Sequence, residues 1–455
     1  MAQLSLNLIA SQTSLPAAAE PRVVYALLEA AAASAEAGAT PTHCCLVVDC
    51  SPSMRVPVAD IEMFRELMRR GVANEVMLDG LPVWKITGGI PDDLKGRAQS
   101  PSQWVVRAVG GAAERLGSAD RISLVAFASQ SEPLAMHEDV ARLTGLTAMI
   151  RQLERRDFGP DTRLTPALRT VLDLMREHSA PGRTNRVLLL TDGFVEDEAA
   201  SLALAQEFGA AHIPLSTLGL GIEFQESLLL ALADQSGGTA AMARQAADIP
   251  AWLERELGRA GRVLATRVRL DLRLAQGVEL RRIYRVRPIL ADLPVPALAG
   301  RAGSLPLGNL ERVAGQAVLL ELLVPAHASG DFRLLRASLH ADHPHGTPLA
   351  PASSDMVVRY GTGPADPISP LMQPILDRVA AWRLQTRALD AATQGDAAGA
   401  TRQLEAAVTR LIDLGEHDLA AQTAATAQQL ADTGAIEAGA AKELRYATRR
   451  LTTGE

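Results

Sequence analysis

Residues 43–54, HCCLVVDCSPSM, constrain this chain more than any other stretch. A short unbroken apolar run closed by a turn reads as a strand buried on both faces, the pattern of a parallel sheet covered by helices. Asp49, Ser51 and Ser53 follow at alternate positions where that strand ends. Open α/β sheets place their ligand sites there, beyond the carboxyl ends of the strands. A carboxylate and two hydroxyls are hard oxygen donors. They suit a hard divalent cation such as Mg2+, with Mn2+ or Ca2+ as alternatives.

Later segments extend the pattern. Residues 121–128 read as a second strand and 140–153 as an amphipathic helix. Residues 159–168, GPDTRLTPAL, form a turn that runs into a helix. Residues 186–191 are another buried strand, ending in Asp192-Gly193, and residues 213–221 and 224–238 give a further strand and helix.

In this order the motifs resemble the von Willebrand factor A domain and its metal-ion-dependent adhesion site, over residues 41–261. Asp49, Ser51, Ser53 and Met54 match the opening Asp-x-Ser-x-Ser-Met, Thr162 matches the threonine of a Gly-x-x-Thr loop, and Asp192 matches the aspartate of Thr-Asp-Gly. The resemblance implies a Rossmann-like, doubly wound α/β domain. It also implies a metal site of Asp49, Ser51, Ser53, Thr162 and Asp192, with no catalytic residues. Ser51, Ser53 and Thr162 offer neutral oxygens, so an acidic side chain of a partner protein can complete the shell of a bound Mg2+. The function implied is a non-enzymatic, metal-dependent protein-binding module. Bacterial proteins that follow such a domain with a β-sandwich and a helical region often work beside AAA+ ATPases, kinases or phosphatases, so a partner of that kind is implied.

The rest of the chain exceeds one compact core at 455 residues. Residues 3–9 alternate leucine with polar positions and residues 22–29 form an apolar run, so both are expected strands, followed by an alanine-rich connector over 30–42. The leucine alternation needs a sheet to join, and the expected partner is the β domain beyond residue 262. Residues 55–100 interrupt the family pattern directly after the first motif. They hold an expected helix at 61–70 with Asp60 as N-cap and a hairpin around Asp79-Gly80, before a helix resumes at Pro101. Such an insertion sits beside the site, and Phe64, Leu81, Trp84, Lys85, Arg69 and Arg70 are candidates for choosing the acidic partner. From residue 262 to 362 short alternating strands predict an antiparallel β-sandwich. Residues 368–455 predict helices at 371–393, 397–414, 418–433 and 438–451, with Gly395, Gly415 and Gly434 as stops.

Alternatives have to meet the same residues. A dehalogenase-like phosphatase would use Asp49 as nucleophile, but it needs a second aspartate where Ser51 stands. It also needs a lysine, and lysine occurs only at positions 85, 95 and 442. A scaffold with a purely structural metal is the other alternative. The net charge of −7 argues against nucleic acid, and no apolar run is long enough to span a bilayer. A start without a cationic leader and three cysteines confined to residues 44–50 lead us to expect a cytoplasmic setting. Strand alternation points Cys44 and Cys45 to opposite faces, so His43, Cys44, Cys45 and Cys50 read as core rather than as ligands. His340, His343 and His345 read as an exposed turn.

Overall fold

The structure, a computed structural model, describes residues 2–17, 20–34, 40–56, 61–78, 81–86, 91–95, 100–113, 116–139, 156–221, 224–312 and 315–452. The chain opens with three strands, β1 (Gln3–Ala10), β2 (Ser14–Pro16) and β3 (Arg22–Ala33). β3 runs four residues into the stretch expected as a connector, because its alanines pair with β1 throughout, Ala33 opposite Gln3.

β4 (Thr42–Asp49) begins the α/β domain. A 3-10 turn (Pro52–Arg55) follows, then α1 (Ile61–Arg69), β5 (Ala73–Leu78), β6 (Leu81–Ile86), the single turn α2 (Asp92–Lys95) and α3 (Pro101–Ala113). Next come β7 (Arg121–Phe127), β8 (Ser131–Asp139), α4 (Thr165–Glu177), β9 (Thr184–Thr191) and α5 (Glu198–Ala210). β10 (Leu215–Leu220), α6 (Glu226–Ser236), β11 (Ala240–Ala243) and α7 (Ile249–Ala260) complete it. The strand order is β11-β10-β9-β4-β7-β8, parallel except for β8.

Every residue of β4 is buried, as a central parallel strand requires. Cys44, Leu46 and Val48 pack with Val105 and Trp252 of α3 and α7 on one face. Cys45 and Val47 pack with Leu168, Phe208 and Leu228 of α4, α5 and α6 on the other. The sheet is therefore doubly wound, and the two cysteines diverge as alternation demands. Strand order reverses at β4, whose successor β7 lies on one side while β9 lies on the other. The crevice beyond the carboxyl ends of β4 and β9 is the switch point, where such sheets bind ligands.

After the α/β domain the chain forms β12 (Val263–Leu274), β13 (Glu279–Arg287), β14 (Ala291–Leu293), β15 (Ala302–Glu311), β16 (Gln316–Val324), β17 (Gly330–Asp342) and β18 (Ala352–Gly361). These combine with the first three strands into two sheets, β1-β3-β16-β13-β14 and β15-β12-β17-β18-β2. β3 pairs antiparallel with β16, Leu28 opposite Val318. The α/β domain is thus threaded between strands of one sandwich. One pair breaks the antiparallel rule, since β2 runs parallel to β18. Val24, Ala26, Leu28, Val318, Leu320 and their neighbours fill the space between the sheets.

Leu27, Tyr284 and Leu319 point the other way and meet the helices α8 (Gln373–Thr393), α9 (Ala397–Asp413), α10 (His417–Thr433) and α11 (Ala438–Arg449). One sheet is therefore covered on both sides, which explains the unbroken apolar runs of β3 and β16. Among the described residues no helix is long and apolar enough to cross a membrane.

The insertion carries a small core of Met63, Leu67, Ala73 and Leu94. Its hairpin pairs Leu78 with Leu81, while the turn at Asp79-Gly80, the Asp60 cap and the helix expected at 140–153 lie outside the described residues. The side chains of Phe64, Leu81, Trp84 and Lys85 lie outside them as well. Arg69 and Arg70 are exposed; both pair with Glu66, and Arg70 also meets Asp93 at 2.8 Å. His340 belongs to β17 rather than a turn and contacts Asp271 at 3.3 Å.

His43 opens β4 at the opposite end from Asp49. It is fully buried, with Nε2 2.8 Å from Ser123 Oγ and its ring 4.7 Å from that of His137, which stacks on His178 at 4.4 Å. Burial lowers its pKa to about 3, helped by His137, His178, Arg183 and Arg121. Unfolded, it returns to about 6.5. The unfolded chain therefore binds more protons between these values, and stability falls as pH drops through that window. His43→Gln keeps a partner for Ser123 without titrating. Urea unfolding should show that this variant loses about 1–3 kcal/mol less than the wild type between pH 7 and pH 4; equal losses would contradict the assignment.

Candidate metal centre

The site forms where β4 ends. Cys50 N–H still pairs with the Phe127 carbonyl at 2.7 Å, and Pro52 then sets the chain into its 3-10 turn. Met54 is fully buried in the core beneath, as expected of a packing residue, and its carbonyl accepts from Ser102 Oγ at 2.6 Å. This pins the turn to α3, so Ser51 and Ser53 are held side by side with their hydroxyls 3.0 Å apart.

Asp49 is 1% exposed. Its Oδ1 accepts from Ser51 N–H at 2.9 Å and its Oδ2 from Thr191 Oγ1 at 2.6 Å. Burial raises its pKa, and the hydrogen bonds from Thr191, Ser51 and the Asp192 amide pull against that rise. Asp192 lies one residue beyond β9, and its Oδ1 accepts from Ser53 Oγ at 2.8 Å. Thr162 is buried, and a Cβ built on Gly193 would come 3.9 Å from its Oγ1, so it stands beside the Asp192 turn. All five residues singled out in the sequence therefore gather at the switch point, drawn from three separate segments.

Asp161 does not join them: its amide donates to Ser129 Oγ at 2.8 Å and its carboxylate accepts from the same hydroxyl at 3.2 Å, a cap within its loop. Reading the sequence missed Asp197. Its two carboxylate oxygens accept from Leu164 N–H at 2.9 Å and Thr165 N–H at 2.8 Å, the first amides of α4. With Glu196 N–H donating to the Thr162 carbonyl at 3.0 Å, it fastens the Thr162 loop to the Asp192 loop. The only local sign of this was an aspartate at the start of α5, which reads as a cap for its own helix.

The donor set is two carboxylates and three hydroxyls, all hard oxygens, with Ser53 exposed and Asp49 sealed beneath. That arrangement fits a hard divalent cation approached from solvent. His43 and the cysteines are elsewhere, and among the described residues no group of three or more His, Cys, Asp or Glu forms a metal cluster.

Comparison with known proteins gives the fold a context. The family described as the von Willebrand factor type A domain matches residues 93–242, which include Thr162 and Asp192 and begin after Asp49, Ser51 and Ser53. The family described as the Sll0103-like, C-terminal alpha-helical domain matches residues 370–454. Among solved structures, a von Willebrand factor type A protein from Catenulispora acidiphila is similar at a TM-score of 0.74 and 17% identity, over 99% of this chain and 98% of the other. The ArnB paralog VWA2 from Sulfolobus acidocaldarius is similar at a TM-score of 0.57 and 15% identity, over 100% of both chains. No match is found among curated proteins.

Asp197→Ala should release the start of α4 and the Thr162 loop together. Each lost cap costs about 1 kcal/mol, so denaturant unfolding should report roughly 1–2 kcal/mol of destabilisation. A loss under a few tenths of that would mean that the loops hold their places without it.

Proposed function

Because the chain carries a von Willebrand factor type A domain, we propose that its oxygen cluster holds one Mg2+ and binds a protein partner through an acidic side chain. The observation that carries this reading is the convergence of Asp49, Ser51, Ser53, Thr162 and Asp192 at the switch point of the sheet. Ser51, Ser53 and Thr162 would offer neutral oxygens to the ion, while Asp49 and Asp192 supply the negative charge around them. A bound divalent cation supplies a positive centre that a carboxylate from a partner can complete. Asp49 acts from beneath, buried and already oriented by Thr191 and Ser51, so it is in place before any ligand arrives. Ser53 is the exposed member, facing the side from which a partner approaches.

A binding role fits these residues better than a phosphatase. Ser51 occupies the place of the second aspartate and offers a hydroxyl where a phosphatase needs a carboxyl. The nearby Arg55 donates through one terminal nitrogen to the carbonyls of Cys50 and Arg156. Mn2+ or Ca2+ would use the same oxygens. The partner is a protein presenting Asp or Glu, of the kind found on an AAA+ ATPase or a kinase or phosphatase system, and the setting is the cytoplasm.

Calorimetry on the full chain should give one Mg2+ or Mn2+ site. Asp49→Ala should lose it, and Ser53→Ala, an exposed change that leaves the core intact, should weaken it by roughly tenfold or more. Unchanged stoichiometry and affinity in both variants would sink the reading.

A further inference from the structure

The sandwich carries the opposite charge from the chain as a whole. Between residues 262 and 362 thirteen arginines stand against eight aspartates and glutamates, although the net charge of the chain is −7. Part of that excess lies on the outer face of the sheet β15-β12-β17-β18-β2. Arg269, Arg273, Arg333 and Arg336 alternate there with the buried leucines of β12 and β17, and all four are exposed.

Antiparallel register sets Arg273 directly opposite Arg336. Leu334 and Leu335 are both buried at an irregularity in the pairing of β17 with β18, which returns Arg333 to the face of Arg336. Like charges facing each other across a ladder are destabilising unless something offsets them. Among the described residues Arg273 has no acidic partner. Arg336 meets Asp355 at 3.9 Å, and Asp355 is shared with Arg333 at 3.6 Å. Asp271, two residues from Arg273 along β12, is taken by Arg269 at 3.4 Å, His340 at 3.3 Å and Ser304 Oγ at 2.7 Å. Arg267 and Arg359, at the ends of the face, are balanced by Asp342 and Asp331. Four guanidiniums thus face two carboxylates, and the surplus of positive charge centres on Arg273 and Arg336.

Both arginines line an open depression of about 550 Å³, which Ala302, Ser304 and Ser338 also border. Ala302 pairs with Arg273 from the other side, so its small side chain leaves the guanidinium uncovered. Exposed apolar residues flank the depression. Val357 of β18 stands opposite Arg333, and Leu298 lies over Gly303, which lacks the Cβ that would strike it. A phosphomonoester carries about two negative charges at neutral pH and three acceptor oxygens, which guanidinium forks pair in bidentate fashion. That charge matches the surplus, whereas a lone carboxylate offsets only half of it. A free small molecule needs a concave site that buries most of its surface. An open sheet face with apolar residues on either side suits a phosphate carried by a protein.

We propose that this face docks a protein segment bearing a phosphorylated serine or threonine. The phosphate accepts from Arg273 and Arg336, and apolar neighbours of the phosphorylated residue cover Val357 and Leu298. The segment supplies the negative charge that the opposed arginines lack. The site belongs to the sandwich and is independent of the cation.

Peptide-detected NMR titrations on the full chain test this, with EDTA present so that the oxygen cluster contributes nothing. The probes are the peptide Gly-Leu-phosphoserine-Leu-Gly and its serine and aspartate counterparts. The phosphopeptide should bind roughly tenfold more tightly than either, and inorganic phosphate at equal concentration should not displace it. Arg273→Gln and Arg336→Gln should each weaken it by roughly tenfold, while Arg281→Gln, an exposed change on the other sheet, leaves it unchanged. Arg273→Gln removes one member of a like-charge pair, so it should unfold at no lower temperature than the wild type. If Arg336→Gln fails to fold, Arg273→Gln decides alone. Equal binding of the three peptides, displacement by equimolar phosphate, or undiminished binding in the folded variants overturns the proposal. So does capture by phosphatidic acid vesicles, or by no probe at all, in place of phosphopeptide binding.

Discussion

The carboxyl edge of the central sheet depends on one hydrogen bond, from Thr191 Oγ1 to Asp49 Oδ2 at 2.6 Å. It joins the last residues of β4 and β9, the two strands on either side of the switch point, whose following loops leave in opposite directions. A carboxylate at 1% exposure is costly unless its oxygens are satisfied, and here both are. With Asp49 so fixed, Ser51 is held by its own amide, Ser53 by Ser51, and Asp192 by Ser53. The cluster is a chain of short contacts built outward from one buried group. Its position is set by strand pairing rather than by loop flexibility.

Buried charge also sets how the parts of the molecule join. Glu256 of α7, 1% exposed, meets Arg186 of β9 at 2.9 Å and Arg259 at 3.6 Å, and both arginines reach Glu311 of β15. Burial alone would raise the pKa of Glu256, but the two guanidiniums and the hydroxyls of Ser216 and Thr239 outweigh it and bring it below the usual range. On the other side Asp234 of α6 binds Arg285 of β13 and Arg449 of α11. Such pairs add little net stability compared with apolar packing, yet breaking one strands a charge at a cost of roughly 3–5 kcal/mol. They therefore act chiefly by excluding other arrangements of α/β domain, sandwich and helices. Tyr446 of α11, packed in the α/β core beside Phe224 and Leu228, adds an apolar contact to the same joint.

What the sequence disclosed follows from which forces are local. β4 and β9 were legible because burial on both faces leaves an unbroken apolar run. The five site residues were legible because they stand at strand ends and turns, where type and spacing carry the chemistry. The end of β3 was obscured, since alanine pairs in a ladder without the branched side chains that mark strands. β8 (SEPLAMHED) went unread because an edge strand half open to solvent carries little apolar signal, and Pro133 speaks against it. Asp197 and the His43, His137 and His178 cluster were invisible for another reason. Their partners lie 32 to 46 residues or more away in sequence, so only the folded chain brings them together.

The central claim is that the oxygen cluster at the end of β4 is a cation site rather than a self-satisfied hydrogen-bonded turn. Anomalous diffraction at the manganese edge, from crystals of the full chain grown in MnCl2, tests it most directly. The account predicts an anomalous peak within coordination distance of the hydroxyls of Ser51, Ser53 and Thr162, and no such peak in crystals of Asp49→Ala. Ordered side chains with no anomalous density at this position, or a peak that persists in the variant, would contradict it.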